Sequence, residues 1–349
     1  MEIKDFLIKM NDIPHVTGHE VEAAEALSAE FSKFSKAEID VDKFGNMVAR
    51  LKGNGGPKVM LSAHMDEIGM MVSVICDDGF VKFSCIGGID KRNILAQEVT
   101  IHGREKVYGV IGIKPPHLTK AGEEDKSIDI FDMSIDTGYS KEKLEALIRP
   151  GDIITIKQEV AVLQNNRIAA KALDDMAGVA VLYQVAKNLE HYSHIADVYL
   201  VASTQEEVGL RGAVTSTYNI KPDIGIAIDV GFGRANGLGE HESVEIGKGP
   251  SICIGPNINR KLYEELKNTA VNNNTPYQVE VSPFTTGTDA GAIQMGEGGV
   301  ITALLSVPLK YMHSTVETIS LKDIESCAKL ISDYIIGINN GKWEETLCF

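Results

Sequence analysis

Histidines and acidic residues recur directly after apolar segments of this sequence. Imidazole nitrogens and carboxylate oxygens are ligands that Zn, Co and Mn accept in proteins. Open α/β sheets present such groups at the ends of buried strands. Together the segments predict a metal site at the strand ends. The five segments are SAHMDEIG (62–69), KALDDMAG (171–178), STQEEVG (203–209), GIAIDVG (225–231) and LKYMHSTVE (309–317).

The first segment pairs a histidine with an aspartate. His64 and Asp66 lie two residues apart at a strand end, so both side chains project to the same side. We interpret His64 as a metal ligand and Asp66 as the carboxylate that accepts the second imidazole N–H. Taken alone, this motif favours a structural histidine that is hydrogen-bonded to its neighbour.

Two further segments contain adjacent carboxylates. Asp174 and Asp175 precede a helix, where a shared cation would relieve their repulsion; helix capping is the alternative interpretation. Glu206 and Glu207 follow the apolar segment VYLVA, which argues against a simple solvated pair. One of them is able to bind a metal while its neighbour handles a proton.

Asp229 and His313 complete the candidate set. Asp229 ends an apolar run, where an unpaired carboxylate is costly to desolvate and needs a cation, an arginine or hydrogen-bond donors. His313 follows the apolar strand VITALLSVP, although a lone histidine is more often structural. The conjunction of the five segments outweighs the structural interpretation of each one.

Elements that alternate along the chain predict the scaffold for these residues. Buried strands and amphipathic helices open the chain and return after residue 164, which predicts an α/β fold with a mixed, mostly parallel sheet flanked by helices. Residues 70–163 instead form short, glycine-punctuated β segments. We therefore predict a catalytic domain of residues 1–69 and 164–349 and an inserted β-barrel-like domain at 70–163. The acidic stretch 119–137 is predicted to be an exposed loop.

Composition limits the classes of function. The 349 residues carry a formal charge of −15, which disfavours nucleic acid and anionic membranes as partners. The five scattered cysteines suggest neither disulfides nor a thiolate metal site. The acidic N-terminal segment does not look like a signal peptide, and no apolar run reaches the length of a membrane span. We expect a cytoplasmic protein.

The motifs resemble a known family, the dinuclear aminopeptidases of the TET and glutamyl-aminopeptidase type. This family also contains proteins labelled as deblocking aminopeptidases or endoglucanases. The resemblance extends over essentially the whole chain and implies a co-catalytic zinc exopeptidase fold with an inserted dimerisation domain. The segments that carry it occur in the family's order: HMDEIG, GVIGIKPPHL, ALDDMAG, TQEEVGLRGA, AIDVG, TGTDA and MHSTVE.

The resemblance implies roles for the candidate residues. Two divalent cations, Zn or Co with Mn also acceptable, would activate a bridging water, and the peptide bond between Asp174 and Asp175 would be cis. Met176 departs from the family pattern, which more often has arginine there. The implied assignments are Asp174 as the bridging ligand, His64 with Asp229 at one metal, Glu207 with His313 at the other, Glu206 as general base, and Asp66 as the residue that orients His64.

The implied activity is hydrolysis of the N-terminal peptide bond of peptide substrates. By the same resemblance, Thr288 and Asp289 of TGTDA are expected near the substrate. The basic residues Arg260 and Lys261 would either attract a glutamyl or aspartyl first residue or be ordinary surface charges at a helix start. Acylated peptides remain an alternative substrate. A glycoside hydrolase is disfavoured by the two imidazoles and the single tryptophan, Trp343, and a non-enzymatic scaffold by the complete set of ligands.

The resemblance also implies an assembly. The inserted domain would pair two subunits, and six such dimers would form a hollow tetrahedral dodecamer that admits unfolded peptides.

Overall fold

A computed structural model describes residues 1–115, 117, 128–339 and 343. Part of the acidic stretch, residues 119–127, therefore lies outside the described residues. No helix in the described ranges is long and apolar enough to cross a membrane. The helices are α1 (Ile3–Asn11), α2 (Val21–Phe31), α3 (Lys91–Ile94), α4 (Lys141–Leu147), α5 (Leu173–Leu189), α6 (Arg211–Ile220), α7 (Arg260–Asn272), α8 (Asp289–Gln294) and α9 (Leu321–Gly337).

The strands form three groups, which are an eight-stranded sheet, a closed barrel and a three-stranded sheet. The strands are β1 (Ala37–Val41), β2 (Met47–Leu51), β3 (Lys58–His64), β4 (Gly69–Ile75), β5 (Val81–Ile86), β6 (Glu98–His102), β7 (Lys106–Gly112), β8 (Ser134–Asp136), β9 (Ile153–Ile156), β10 (Ala161–Leu163), β11 (Arg167–Ala170), β12 (Asp197–Ser203), β13 (Ile224–Phe232), β14 (Ser251–Ile254), β15 (Gln278–Val281), β16 (Ile301–Leu309) and β17 (Glu317–Ser320).

The eight-stranded sheet has the order β1-β2-β12-β3-β13-β16-β14-β15. Its centre is parallel, because β12, β3, β13 and β16 pair in the same direction. The pairs of β1 with β2, β2 with β12, and β14 with β16 are antiparallel. The predicted α/β fold with a mixed sheet is confirmed. The central strands are apolar along nearly their whole length, since α5, α6, α8 and α9 cover them.

Aromatic packing joins the first helices to the sheet. Phe6 of α1 stacks on Tyr183 of α5 with ring centroids 4.8 Å apart. Phe31 and Phe34, at the end of α2 and just beyond it, also pack against the Tyr183 ring. The N-terminal helices thereby become part of the same core as α5, the helix that carries the Asp174 motif.

The barrel closes in the order β4-β5-β8-β7-β6-β9 around an apolar core of its own. Its strands run from Gly69 to Ile156, and the next strand, β10, pairs with β11 outside the barrel. The prediction of an exposed loop at 119–137 is wrong for its last residues, because Ser134–Asp136 forms strand β8, which pairs with β5 and β7. The boundary at 70–163 stays a prediction.

Candidate active site

The proposed site residues meet where the central parallel strands end. His64 ends β3, and Asp229 lies near the end of the adjacent strand β13. Glu206 and Glu207 occupy the turn after β12, and His313 lies in the loop between β16 and β17. Parallel strands bring their carboxyl ends to one edge, so residues far apart in sequence share one cleft.

Asp174 reaches the same edge from the start of α5. The helix is regular only beyond Asp175, because Asp174 and Asp175 have non-helical backbone angles. The peptide bond between them is cis, as the resemblance implied. Asp175 points away from the cleft: its Oδ1 accepts the Gly178 N–H at 3.0 Å, and its Oδ2 is buried without a hydrogen-bond partner.

The two carboxylate oxygens of Asp174 face different imidazoles. Oδ1 lies 3.1 Å from His64 Nε2, and Oδ2 lies 3.2 Å from His313 Nε2. His313 Nε2 is also 3.4 Å from Glu207 Oε1. The described residues form three groups of potential ligands, each with its ligand atoms within 4.8 Å of one another: His64 with Asp174 and Asp229, Asp174 with Glu207 and His313, and His64 with Glu206 and Glu207.

This donor set fits two divalent cations. Two ligand atoms bonded to one tetrahedral ion at about 2.0 Å lie about 3.3 Å apart, close to the contacts of Asp174 with the two imidazoles. The atoms are nitrogen and oxygen, the chemistry that Zn, Co and Mn accept. Asp174 belongs to both the group with Asp229 and the group with His313, and it presents a separate oxygen to each imidazole.

Main-chain carbonyls fix both imidazole rings. The Nδ1 atom of His64 lies 3.0 Å from the carbonyl oxygen of Asp66, and Nδ1 of His313 lies 3.0 Å from that of Gly88. Each ring therefore directs Nε2 into the cleft. The expected contact of His64 with the Asp66 carboxylate is longer, at 3.6 Å, so the carbonyl is the better acceptor.

Burial and mutual repulsion disfavour the charged forms of several acids here. Burial raises the pKa of Asp229 well above its ordinary value and raises the pKa of Glu206 to about 8. Asp174 differs, because hydrogen bonds with His313 and His64 outweigh the effect of burial and hold its pKa below the ordinary range. Added positive charge would stabilise the ionised carboxylates.

The Asp66 carboxylate holds the turn that carries the two glutamates. Its Oδ1 accepts the Glu206 N–H at 2.9 Å, and its Oδ2 accepts the Glu207 N–H at 3.3 Å. Thr17 donates its hydroxyl to the same Oδ2 at 2.8 Å. Asp66 therefore acts on the position of Glu206 as well as on His64.

Glu20 supports the same turn and was missed in the sequence. Its Oε1 accepts the N–H groups of Gly18, at 2.8 Å, and Gln205, at 3.2 Å. Gln205 has a left-handed φ of +55°, so this contact secures an uncommon conformation directly before Glu206. The segment around Thr17 and Glu20 lacks an apolar strand before it and gave no signal.

Glu317 was also missed, although it ends the MHSTVE motif. This buried carboxylate begins β17 opposite Ala170. Its Oε2 accepts the Asp174 N–H at 3.0 Å, and its Oε1 accepts the His313 N–H at 2.7 Å. One side chain thus connects the main chains of two proposed ligands. The position of Glu317 four residues after His313 was the available signal.

The TGTDA segment divides between the cleft and the core. Thr288 lines the cleft and caps α8. Asp289 is buried beneath it and accepts the hydroxyls of Ser62, at 2.7 Å, and Ser203, at 2.6 Å. Met176, the departure from the family pattern, is packed in the apolar core.

The cleft is a cavity of 240 Å³ that all the proposed ligands and Glu206 line. Its far wall is formed by the end of β13 and by the strands and loop beyond it. Neither Arg260 nor Lys261 is among its lining residues, so the structure does not support their expected role in attracting an acidic side chain. The far wall includes Gly231, Cys253, Glu280, Ser282, Leu304 and Ser306.

An α/β sheet that gathers two imidazoles and several carboxylates at its strand ends is suited to a metal-dependent hydrolase. The comparisons with known proteins define the family within that class. Residues 45–330 match the M42 glutamyl aminopeptidase family, to which this chain belongs. The chain is therefore a metal-dependent peptidase of a family of aminopeptidases.

Individual relatives match over nearly the whole chain. A lysyl aminopeptidase of Pyrococcus furiosus is 38% identical over 93% of this chain and 94% of its own length. The aminopeptidase APDkam598 of Desulfurococcus kamchatkensis has a TM-score of 0.90 at 36% identity, covering 99% of this chain and 96% of that one. The TET1 peptidase of Pyrococcus horikoshii, which can assemble into a tetrahedron or a large octahedral shell, has a TM-score of 0.85 at 34% identity, covering 97% and 100%.

Proposed function

We propose that this enzyme removes the first residue from peptides with a free α-amino group, with Glu206 as general base. Two divalent cations would be bound, one by His64 and Asp229, the other by Glu207 and His313, with Asp174 shared between them. The observation that carries the proposal is the division of the Asp174 carboxylate, which presents one oxygen to each imidazole. Bound cations would polarise the scissile carbonyl, make water more acidic and hold the substrate amine.

The surroundings of Glu206 support its proposed role as general base. Its side chain is largely buried in the wall of the cavity, and its Oε2 lies 4.0 Å from His64 Nε2, beyond hydrogen-bond distance. The main chain is held on both sides of it, because Glu20 accepts the Gln205 N–H and Asp66 accepts the N–H groups of Glu206 and Glu207. A carboxylate held in this way takes a proton from the attacking water and returns it to the leaving amine.

Other substrates are less well supported. Acylated peptides lack the free amine that two cations would hold, and they remain the alternative within peptide hydrolysis. Glycoside hydrolysis by paired carboxylates needs no imidazole ligands, whereas two imidazoles face Asp174 here. We therefore place peptides with free N-termini first.

We also propose the assembly and compartment that the sequence led us to expect, which are dimers paired through the barrel, a dodecamer of six such dimers, and a cytoplasmic location. The barrel exposes Tyr108, Val110 and Phe131, with Phe131 79% exposed, and such apolar side chains suit a dimer interface. The four described cysteines are free thiols, in keeping with the cytoplasm. Native mass spectrometry would distinguish a dimer from a dodecamer.

The test of the proposed function begins with removal of metals by a chelator. Zn, Co or Mn is then restored, and release of the first residue is measured from matched free and N-acetylated peptides. We expect restored cleavage of free peptides only. Cleavage of the acetylated peptides would favour the deblocking alternative, and absence of cleavage with both metals bound would overturn the proposal.

A further inference from the structure

Glu280 is a charged residue of the cavity that the proposed chemistry does not use. It lies on the edge strand β15, where it pairs with Cys253 of β14, and it is half-buried. Its Oε2 accepts the hydroxyl of Ser251 at 2.8 Å. The carboxylate is thus held toward the sheet while it lines the cavity wall.

Gly231 shows where the Glu280 carboxylate lies. A Cβ atom added at Gly231 would meet Glu280 Oε2 at 3.3 Å and the Cβ of Ser306 at 2.9 Å. The absence of a side chain at 231 therefore leaves room for the carboxylate. Gly231 follows Asp229 by two positions in β13, so both face the same side of the sheet, about 7 Å apart along the strand.

That separation matches the length of a basic side chain. The four-carbon stem of lysine carries its ammonium about 6 Å from Cα. A substrate whose α-amine lies at the proposed cations would therefore bring such an ammonium to the carboxylate above Gly231. Ser282, Leu304 and Ser306 also line this part of the cavity.

The charge of this wall is negative and is not compensated. Across the described ranges, neither a lysine nor an arginine lines the cavity, and no ion pair within 4.0 Å is formed by Glu280. The acids beside Asp174 would be neutralised largely by the cations, whereas Glu280 would keep its charge. A half-buried carboxylate that faces a cavity favours a cationic group and repels an acidic one.

We propose that Glu280 selects substrates whose first residue is lysine or arginine. This inference rests on the proposed aminopeptidase function and adds the class of side chain that the enzyme prefers. Glu280 is a specificity-determining residue in this assignment, because its carboxylate binds the substrate side chain and takes no part in bond cleavage.

The test uses the metal-restored enzyme and amide substrates that differ only in the first residue: Lys, Arg, Leu or Glu. We expect the highest kcat/KM for Lys or Arg and the lowest for Glu. In Glu280→Gln, the ratio of kcat/KM for Lys to that for Leu should fall about 10- to 100-fold, the worth of a hydrogen bond to a charged group. Higher salt should reduce this ratio in the unchanged enzyme.

The matched control is Glu245→Gln, which removes the same charge from an exposed carboxylate outside the cavity that pairs with Arg234 at 2.7 Å. This control should keep the Lys-to-Leu ratio. A preference for Leu or Glu in the unchanged enzyme, or a ratio unaffected by Glu280→Gln, would overturn the inference and leave the aminopeptidase intact. Failure to cleave any of the four substrates would overturn both. The salt dependence and substrate panel of the unchanged enzyme decide the matter even if Glu280→Gln does not fold.

Discussion

The barrel and the active-site end of the large sheet place their charges in opposite ways. In the barrel, carboxylates lie outside the apolar core and face cations, as Glu98 faces Lys157 at 2.9 Å and Asp77 faces Lys141 at 2.5 Å. At the end of the sheet, Asp174 and Asp229 are buried together beside the imidazoles of His64 and His313.

The difference separates a region that follows the general rules for stability from one that departs from them. The barrel follows the usual rule that apolar side chains are inside and charges are in water. The site departs from it, and buried charges without partners cost stability unless cations or donors compensate them. Such departures are expected at functional sites. Substitutions in the two regions should therefore affect different properties.

Glu206→Gln should give the largest change and affect chemistry alone. The amide keeps the shape of the side chain but cannot accept a proton from water, so we expect kcat to fall about 10²- to 10⁴-fold. Metal content, measured by elemental analysis after gel filtration, should stay unchanged. Loss of bound metal together with activity would instead make Glu206 a ligand, which its closeness to His64 and Glu207 makes a real alternative.

Ile101→Ala should change stability alone. Ile101 lies on β6, is fully buried in the barrel core, and is distant in the chain from every proposed ligand. Removing its side chain leaves a cavity, so we expect the free energy of unfolding to fall by about 2–5 kcal/mol in chemical denaturation. The kcat of the folded enzyme should be kept. A fall in kcat that is not explained by unfolding would show that the two regions are coupled. The contact between the Gly88 carbonyl and the His313 ring is one route for such coupling.

Glu317→Gln should change metal affinity. A glutamine offers one acceptor oxygen in place of two, so the N–H of Asp174 or of His313 would face an amide group. We expect affinity for Zn or Co to fall about 10- to 100-fold, as for other groups that hold metal ligands in place. Titration against a chromophoric chelator measures this directly.

Asp323 provides the control for Glu317. It too is a buried carboxylate that accepts two main-chain N–H groups, those of Gly247 at 2.7 Å and Gly249 at 2.8 Å, but it holds no proposed ligand. Asp323→Asn should therefore destabilise the fold without changing the metal affinity of the folded protein. Equal losses of affinity in both variants would mean that Glu317 acts through general stability.

A residue could be recognised from the sequence when its neighbours in the chain carried the signal. His64, at the end of an apolar strand, was recognisable because parallel strands present such residues at one edge. The mixed α/β fold followed from the same pattern and is confirmed. The roles assigned to the ligands stay predictions, although the structure brings their side chains together.

The missed features depend on contacts between distant segments. Glu317 accepts the N–H of Asp174, which is 143 positions away, and Thr17 donates to Asp66, which is 49 positions away. The residues next to Glu317 and Thr17 in the sequence therefore do not indicate these contacts. The three-residue strand Ser134–Asp136 is too short to show alternation and forms only because β5 and β7 flank it. Arg260 precedes TGTDA in the chain, but it does not line the cavity.

Glu98→Gln should have the smallest effect. It contrasts an exposed carboxylate of the barrel with the buried carboxylates of the active site. Its partner Lys157 is about half-exposed, and exposed ion pairs are weakened by water and salt. We therefore expect no resolvable change in Tm by scanning calorimetry and unchanged metal affinity. A clear loss of Tm would mean that the outer surface of the barrel is covered in solution, as it would be in a dimer. Lys157 would then be buried, and a buried charge that loses its carboxylate destabilises the fold. Repeating the measurement at high salt distinguishes the cases, since an exposed pair is screened and a covered one is not.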